Sequence, residues 1–200
     1  MLVLSVPLAV IGYLRIRRPI LTWGATEAEA GGPLPGDDLL PGAEGASTRA
    51  IDIDAPPDDV WPWLAQMGPS PRGGAYTYDW IENLLGLNMH SVDRVLPEFQ
   101  NPRPGDTIQL GANRMRVELV EPRHTLGWRS AGGNWVWAFV LLERGGGTRR
   151  INRNRFRLPP LGARVRMLPM EPASLVMERR MLCEVKRLSE GLGARSRSGE

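Results

Sequence analysis

Titratable residues in the middle of the chain could support proton transfer. His90 stands directly before a serine and three residues before Asp93, and Glu82 lies on the preceding segment. A Ser-His-Asp arrangement is recognised by its geometry in space, so this spacing neither establishes nor excludes one. The sequence contains no nucleophile elbow, metal-binding motif or phosphate-binding loop. It therefore assigns no catalytic residue. His90 and Glu82 are its candidates for acid–base chemistry, and the alternative is that His90 is an ordinary loop histidine.

A second group of residues, aromatic side chains and methionines, could form an adaptable apolar pocket. Aromatic rings offer large flat contact areas, and methionine adjusts its shape to what it touches. Such a surface suits a lipid, a polyketide or another flat molecule. The alternative is that the same side chains fill a dry core. The predicted ligand-binding positions among them are Trp63, Tyr76, Trp80, Trp135, Trp137, Met177 and Met181.

Arginines recur at a period of two along one predicted strand, at Arg149, Arg153, Arg155 and Arg157. If that face is concave, an arginine on it needs an acidic partner or an anionic ligand head, because a lone buried charge is prohibitive. Arg153 is accordingly included among the predicted ligand-binding residues. If the face is convex, the arginines form an exposed basic stripe, which is the default interpretation.

The charges are distributed unevenly along the chain. Residues 1–102 carry 6 basic and 13 acidic side chains, a balance of −7, whereas residues 103–200 carry 19 and 9, a balance of +10. A basic half suits an anionic lipid surface, an anionic ligand or nucleic acid. Nucleic-acid binding also requires stacking aromatics on the basic face, and the nearby Phe156 points the other way. No nucleic-acid partner is therefore predicted.

The single cysteine, Cys183, excludes an intramolecular disulfide framework. With only two histidines and no second cysteine, the sequence also argues against a structural zinc site. No metal or other cofactor is predicted.

A strand, a short helix, a Gly-rich loop and a second short helix begin the folded part of the chain. Ile51 and Ile53 alternate with acidic residues, which is typical of a strand with one apolar face. Two prolines end it, and Val60, Leu64 and Met67 follow at helical spacing. Thr77 or Asp79 can cap the second helix, which Gly86 closes.

The rest of the chain reads as an antiparallel meander followed by a long helix. Strands are predicted over 107–110, 114–120, 125–130, 135–142 and 148–158, with short Gly-containing turns between them. The 135–142 strand is apolar on both faces, which predicts a central position in the sheet. The final helix is predicted over 172–192, with an apolar face at Met177, Met181, Val185, Leu188 and Leu192.

The segments IDAPPDDVWPWLAQMG and RGGAYTYDWIEN, in this order after the first strand, resemble the SRPBCC superfamily, which includes START-like lipid-binding domains and polyketide cyclases. The resemblance covers residues 48–193 and implies an α+β helix-grip fold. In that fold a curved antiparallel sheet wraps around a long C-terminal helix, two short helices follow the first strand, and an apolar cavity lies between sheet and helix. The segments WGAT and PGDDLLP resemble the N-terminal part of uncharacterised, membrane-anchored members.

The N-terminal residues 1–20 are predicted to be a membrane anchor. Residues 1–14 are apolar, and Arg15, Arg17 and Arg18 follow them, an arrangement that places the domain in the cytoplasm by the positive-inside rule. The run is shorter than a full span, which needs about 20 residues, so an interfacial tail is the alternative. Residues 21–47 are predicted to be a linker that packs partly on the domain, and residues 194–200 a polar tail.

Three functions are compatible with this sequence. The first is binding of a small hydrophobic ligand between the sheet and the last helix, at a membrane. The second is a polyketide cyclase- or dehydratase-like enzyme that uses the same cavity, which predicts a perturbed titratable group there. The third is a basic surface module that holds an anionic bilayer or a protein partner. The absence of a catalytic motif favours binding.

Overall fold

A six-stranded antiparallel sheet forms the centre of the molecule, in the order β1-β6-β5-β4-β3-β2. The computed structural model describes residues 12–13, 15–158, 160 and 169–198, with side chains as far as residue 194. Strands β2 to β6 form a meander, and β1 pairs with β6 at one edge. The strands are β1 (Gly45–Ile53), β2 (Thr107–Leu110), β3 (Asn113–Glu121), β4 (Thr125–Ser130), β5 (Trp135–Arg144) and β6 (Gly147–Phe156).

The two short helices after the first strand and the long C-terminal helix stand where the fold prediction places them, and a further short helix lies within the predicted linker. They are α1 (Glu27–Gly31), α2 (Pro57–Ala65), α3 (Asp79–Leu84) and α4 (Met170–Ser198), besides the helical residues 15–21. Helices α2 and α3 are the two short helices after the first strand, and α4 packs against β1 and α2. The α+β helix-grip fold is thereby confirmed. Helix α4 extends beyond the predicted 172–192 at both ends.

Alternation along the strands gives the sheet an inner face, towards α4, and an outer face. On β5 the large residues Trp137, Phe139 and Leu141 lie on the inner face, and Val136, Ala138 and Val140 lie on the outer face. Strand β5 is central, as its two apolar faces predict. The main core fills the inner side, and a smaller cluster of Ala50, Val140 and Ile151 lies on the outer side.

The outer face of β1 and β6 is covered by residues 24–40, here called the N-terminal strap. Arg149 and Arg153 lie on that face, and each is only 6% exposed. Arg149 donates from Nε and Nη2 to the two Glu29 carboxylate oxygens at 2.9 and 2.8 Å. Ala25 and Leu34 of the strap pack on the smaller core cluster. The default prediction of an exposed arginine stripe is therefore wrong for Arg149 and Arg153, because acidic residues of the predicted linker cover them.

The Arg149–Glu29 pair makes the stability of the contact between the strap and the sheet dependent on pH. The hydrogen bonds from Arg149 are the largest influence on Glu29 and lower its pKa from 4.5 to about 2. A depressed carboxyl pKa contributes stability that is complete above the unfolded-state value and is lost as pH falls through the folded-state value. We expect Glu29→Gln to lower the free energy of unfolding by about 2 kcal/mol at pH 7, measured by urea denaturation. The difference from wild type should shrink between pH 4.5 and pH 2.

Glu27→Gln is the matched control for this prediction. Glu27 lies on the same helix, but its side chain is 80% exposed and its partner Arg18 is exposed as well. Exposed pairs contribute between 0 and about 1 kcal/mol. A loss in Glu27→Gln as large as that in Glu29→Gln, or a Glu29→Gln effect that does not change with pH, would contradict the assignment.

The predicted anchor falls mostly on residues 1–11 and 14, which lie outside the described residues. Among the residues that are described, no helix combines the length and apolar character needed to cross a bilayer. The helical residues 15–21 lie against α4, where Arg17 Nε donates to Glu171 Oε2 at 2.8 Å. Tyr13 also donates to this carboxylate, at 2.5 Å.

Candidate functional site

A row of aromatic side chains runs along the inner face of β5. The rings of Trp135 and Trp137 are stacked, with centroids 6.0 Å apart and planes inclined by 20°. The Trp137 ring meets the Phe139 ring edge-on at 4.7 Å. Phe139 is fully buried, whereas both tryptophans are only partly buried. The row therefore leads from the protein surface into the core.

Arg150 lies at the inner end of this row. It is paired with Leu141 on one side and Ile51 on the other, and it has no exposed surface. Its guanidinium carbon is 5.3 Å from the centroid of the Phe139 ring. Nε donates to Asn152 Oδ1 at 3.1 Å, but neither Nη1 nor Nη2 has a hydrogen-bond partner. Burial lowers the pKa of Arg150 to about 9, so the side chain is still charged at neutral pH.

Beyond Arg150, a chain of buried hydrogen bonds links β6 to α4. Asn154 accepts from Trp135 Nε1 at 2.9 Å and donates to Glu178 Oε1 at 3.3 Å. Glu178 also forms a buried ion pair with Arg49 of β1. Asn152 donates to the Met181 sulfur at 3.7 Å. The inner face of β6 therefore carries polar side chains. Their hydrogen-bonding groups named here are paired, except Nη1 and Nη2 of Arg150.

Unpaired hydrogen-bond donors accumulate on this side of the sheet. Besides the two terminal nitrogens of Arg150, the indole nitrogens of Trp63 and Trp137 are buried without a partner. Trp63 packs edge-on against Tyr76, with ring centroids 6.1 Å apart. These four atoms all donate, whereas Oε2 of Glu82 on α3 is a buried acceptor. The chemical complement of the four donors is an acceptor, neutral or anionic.

The predicted pocket residues fall into three groups. Trp63, Tyr76 and Met181 are buried in the inner core, and Trp135, Trp137 and Met177 are partly exposed at its margin. Trp80 is 70% exposed on α3 and does not line the inner face.

Arg153 was predicted to bind the ligand, but it lies on the opposite, outer face of the sheet. Its guanidinium forms hydrogen bonds through every nitrogen, to Asp37, Thr48 and the carbonyls of Ala30 and Gly32. Its donors are therefore satisfied within the protein, and Arg153 holds the strap. The arginine of β6 that lies on the inner face is Arg150.

The two acid–base candidates differ in their surroundings. His90 is exposed, and the hydroxyl of the neighbouring Ser91 donates to Asp79 at 2.6 Å. Glu82 is 7% exposed, and the side chain of Thr77 is its nearest hydrogen-bonding group. Burial raises the pKa of Glu82 above its ordinary value. Of the two, only Glu82 has the environment of a tuned acid or base.

The Gly-rich loop between α2 and α3 is tightly anchored. Arg72 donates to the carbonyls of Met67 and Ala65 at 2.8 and 2.6 Å, and so caps the end of α2. Gly74 has a φ of +80°, and a Cβ on it would lie 2.6 Å from the Ser91 backbone. Glycine is required there by the close approach of two chain segments. These contacts hold the Gly-rich loop in a tight turn against α2 and the segment at Ser91.

Sequence reasoning missed Arg150 and Glu178. The available signal was the polar alternation Arg150, Asn152, Asn154, which lies between the neighbouring arginine positions on β6. The predicted ligand-binding residue of this strand, Arg153, lies on its other face.

The space between the sheet and α4 is filled by side chains in this structure. Tyr76, Phe139 and Val185 there are each no more than 1% exposed. Two open depressions of about 260 and 470 Å³ lie elsewhere, beside the β5–β6 turn and beside the β2–β3 turn. A ligand on the inner face must therefore displace side chains at the margin of the core.

Known proteins resemble this chain in fold and not in sequence. No protein-family model matches it, and no curated protein is similar to it. Solved structures that resemble it include a Mesorhizobium loti protein with 18% identity and a TM-score of 0.44, covering 72% of this chain and 96% of that one. A polyketide cyclase-like protein from Corynebacterium glutamicum has 18% identity and a TM-score of 0.39, covering 72% and 91%. A Bacillus halodurans protein has 15% identity and a TM-score of 0.44, covering 74% and 99%.

The strand order and the long C-terminal helix define an α+β helix-grip domain, the fold that the sequence resemblance to the SRPBCC superfamily implies. The likeness to solved structures concerns the fold alone, and fold does not determine function. The resemblance to membrane-anchored members stays a prediction.

Proposed function

We propose that this domain binds a small hydrophobic molecule, lipid-like or polyketide-like, on the inner face of its sheet beside α4. The observation that carries the proposal is the stacked pair Trp135–Trp137, which is partly exposed and continuous with the buried core. Partly exposed stacked indoles offer a flat apolar platform that a ligand can cover.

Methionines around the inner core support the proposal. Met67, Met89, Met115 and Met181 are all buried in it, and Met177 lies one turn before Met181 on α4. Unbranched thioether side chains change rotamer easily, so they can repack when a ligand enters. A packed ligand-free interior and a binding function are therefore compatible.

The proposal predicts that the purified full-length chain carries a hydrophobic molecule that a variant at the margin excludes. Met177→Trp adds bulk at a partly buried position one turn before the buried Met181 on α4, and overpacking costs about 1–3 kcal/mol. We expect occupancy of the co-purified molecule to fall roughly tenfold or more. The measurement is native mass spectrometry, followed by denaturing extraction and identification of the molecule.

Met170→Trp is the control, because Met170 lies at the start of the same helix and is 60% exposed. It should retain the ligand at the wild-type level. Equal occupancy in the two variants would place the molecule elsewhere. A wild-type protein that carries nothing, and shows no thermal shift with a lipid panel, would refute binding.

A cyclase- or dehydratase-like activity is the second candidate, and the buried Glu82 favours it. A carboxyl group whose pKa is raised by burial can hold a proton at a pH where an exposed one cannot, and can then donate it. Chemical conversion of the bound molecule, in place of release of the same molecule, would identify this alternative.

The membrane location is a further part of the proposal. It is supported by the apolar residues 1–14 and by the arginines Arg15, Arg17 and Arg18 that follow them. A purely electrostatic surface module is less well supported, because Arg149 and Arg153 are engaged by the strap.

A further inference from the structure

We propose that Arg150 binds the carboxylate of the hydrophobic ligand, so that the domain selects amphipathic carboxylic acids over neutral molecules of the same shape. This inference rests on the proposed function and specifies the class of its ligand. It assigns the polar anchor to Arg150 at the inner end of the aromatic row, and not to Arg153, the arginine that the sequence predicts for this role.

Arg150 has the properties of a built anion site. Its side chain is fully buried, and Nη1 and Nη2 are both left without an acceptor in the core. Nε is held by Asn152, and the guanidinium carbon lies 5.3 Å from the centre of the Phe139 ring. The side chain is thus oriented on one side, while its two terminal nitrogens remain available. Buried polar groups in native proteins are nearly always paired, so this arrangement requires a reason.

The charge balance around Arg150 indicates a partner with a single negative charge. Arg49 and Glu178 form an ion pair on the same face, and the Glu178 carboxylate also attracts Arg150 electrostatically. The face therefore carries two arginines against one carboxylate, and the neighbouring Asn152 and Asn154 are neutral. One positive charge therefore remains in the apolar interior, where an unpaired charge is strongly unfavourable. A monoanion would neutralise it.

A carboxylate fits this site better than a phosphate monoester does. The two terminal nitrogens of a guanidinium match the two oxygens of a carboxylate in a bidentate pair. A phosphate monoester carries nearly two negative charges at neutral pH, so it would leave an uncompensated negative charge in the core. A neutral amide or alcohol of the same shape would leave the arginine charge uncompensated.

The aromatic row indicates the orientation of the ligand. Phe139 contacts both Arg150 and Trp137, and Trp137 stacks on Trp135 towards the surface. A ligand that covers the indoles with its apolar body therefore brings one end towards the guanidinium. The carboxylate is expected at the innermost end and the apolar tail at the partly exposed margin.

The test compares matched acids and amides on the full-length chain. The probes are 2-naphthoate with 2-naphthamide, and dodecanoate with dodecanamide, measured by isothermal titration and by quenching of tryptophan fluorescence. A charge-assisted hydrogen bond contributes enough for the acid of a pair to bind about 10- to 100-fold more tightly than the amide. Arg150→Met should abolish this preference and leave weak, equal binding of both members.

Two further variants keep the test decisive. Arg157→Met removes an exposed arginine at the end of β6 and should keep the full acid preference. Arg150→Lys keeps the positive charge but loses the two parallel donors of the guanidinium, so it should retain part of the preference for the acid over the amide. Its result remains informative if Arg150→Met does not fold.

The possible outcomes separate the two proposals. Equal binding of acid and amide to wild type, or an acid preference that survives in Arg150→Met, overturns the carboxylate site but leaves hydrophobic binding intact. Failure of all four probes to bind overturns both proposals. An acid preference that is lost equally in Arg157→Met shows a general charge effect and also overturns the site.

Discussion

Replacing Arg150 by methionine is expected to raise the free energy of unfolding of the ligand-free protein by about 1–3 kcal/mol. The wild-type side chain places a charge in the core with two unpaired donor nitrogens, and its remaining contacts are one hydrogen bond and the Phe139 ring. Methionine has a similar length and no charge, and it fills apolar space readily. The measurement is urea unfolding of both proteins after denaturing removal of any bound molecule.

Arg157→Met is again the control, and its stability should stay within about 0.5 kcal/mol of wild type because the side chain is exposed. Saturation with a bound carboxylic acid should stabilise wild type and leave Arg150→Met unchanged. A loss of stability in ligand-free Arg150→Met would show that the arginine serves the fold, and would remove the main argument for its role in binding.

A gain of stability on removal of a residue is the pattern expected of a functional group. Natural proteins keep destabilising side chains where binding or catalysis requires them. The same protein also contains a buried arginine that is fully paired and is expected to stabilise the fold. Arg49 is 1% exposed, and each of its nitrogens has a partner.

Replacing Arg49 by methionine is therefore expected to lower the free energy of unfolding by about 3–5 kcal/mol. Arg49 joins its own strand β1 to the helical residues 15–21 and to α4. It donates to the Ile20 carbonyl and, on α4, to Glu178 and to the Ser174 hydroxyl. Its loss leaves the buried Glu178 carboxylate without its ion-pair partner, a situation that costs more than the ion pair itself contributes. Urea unfolding of the variant measures the effect.

The double variant Arg49→Met/Glu178→Met should recover most of this loss, because it removes the stranded charge together with its partner. Arg17→Met is the matched control. Arg17 pairs with Glu171 between the helical residues 15–21 and α4, and its side chain is 39% exposed. Its loss should cost no more than about 1 kcal/mol. A double variant as unstable as the single one would contradict this account.

The sequence by itself determined the secondary structure and the fold class. Strands β2 and β4 begin and end where alternation and the flanking glycines predict, at Thr107–Leu110 and Thr125–Ser130. These signals are local, because backbone geometry and turn chemistry depend on neighbouring residues. The central position of β5 followed from its two apolar faces. The spacing of Met177, Met181, Val185 and Leu188 likewise predicted the helix that the sheet grips.

Only the tertiary structure decided which side of each element was the inside. Alternation divides β6 into a face with Arg149 and Arg153 and a face with Arg150 and Asn152. It does not indicate which of the two faces packs against α4. The choice depends on what covers them: α4 covers the second face, and the strap, distant in sequence, covers the first with Glu29 and Asp37. Trp80 shows the same limit, since an aromatic residue on a short helix can face the core or the solvent. Burial is a property of contacts between segments far apart in the chain, so the candidate site became visible only when those segments were placed together.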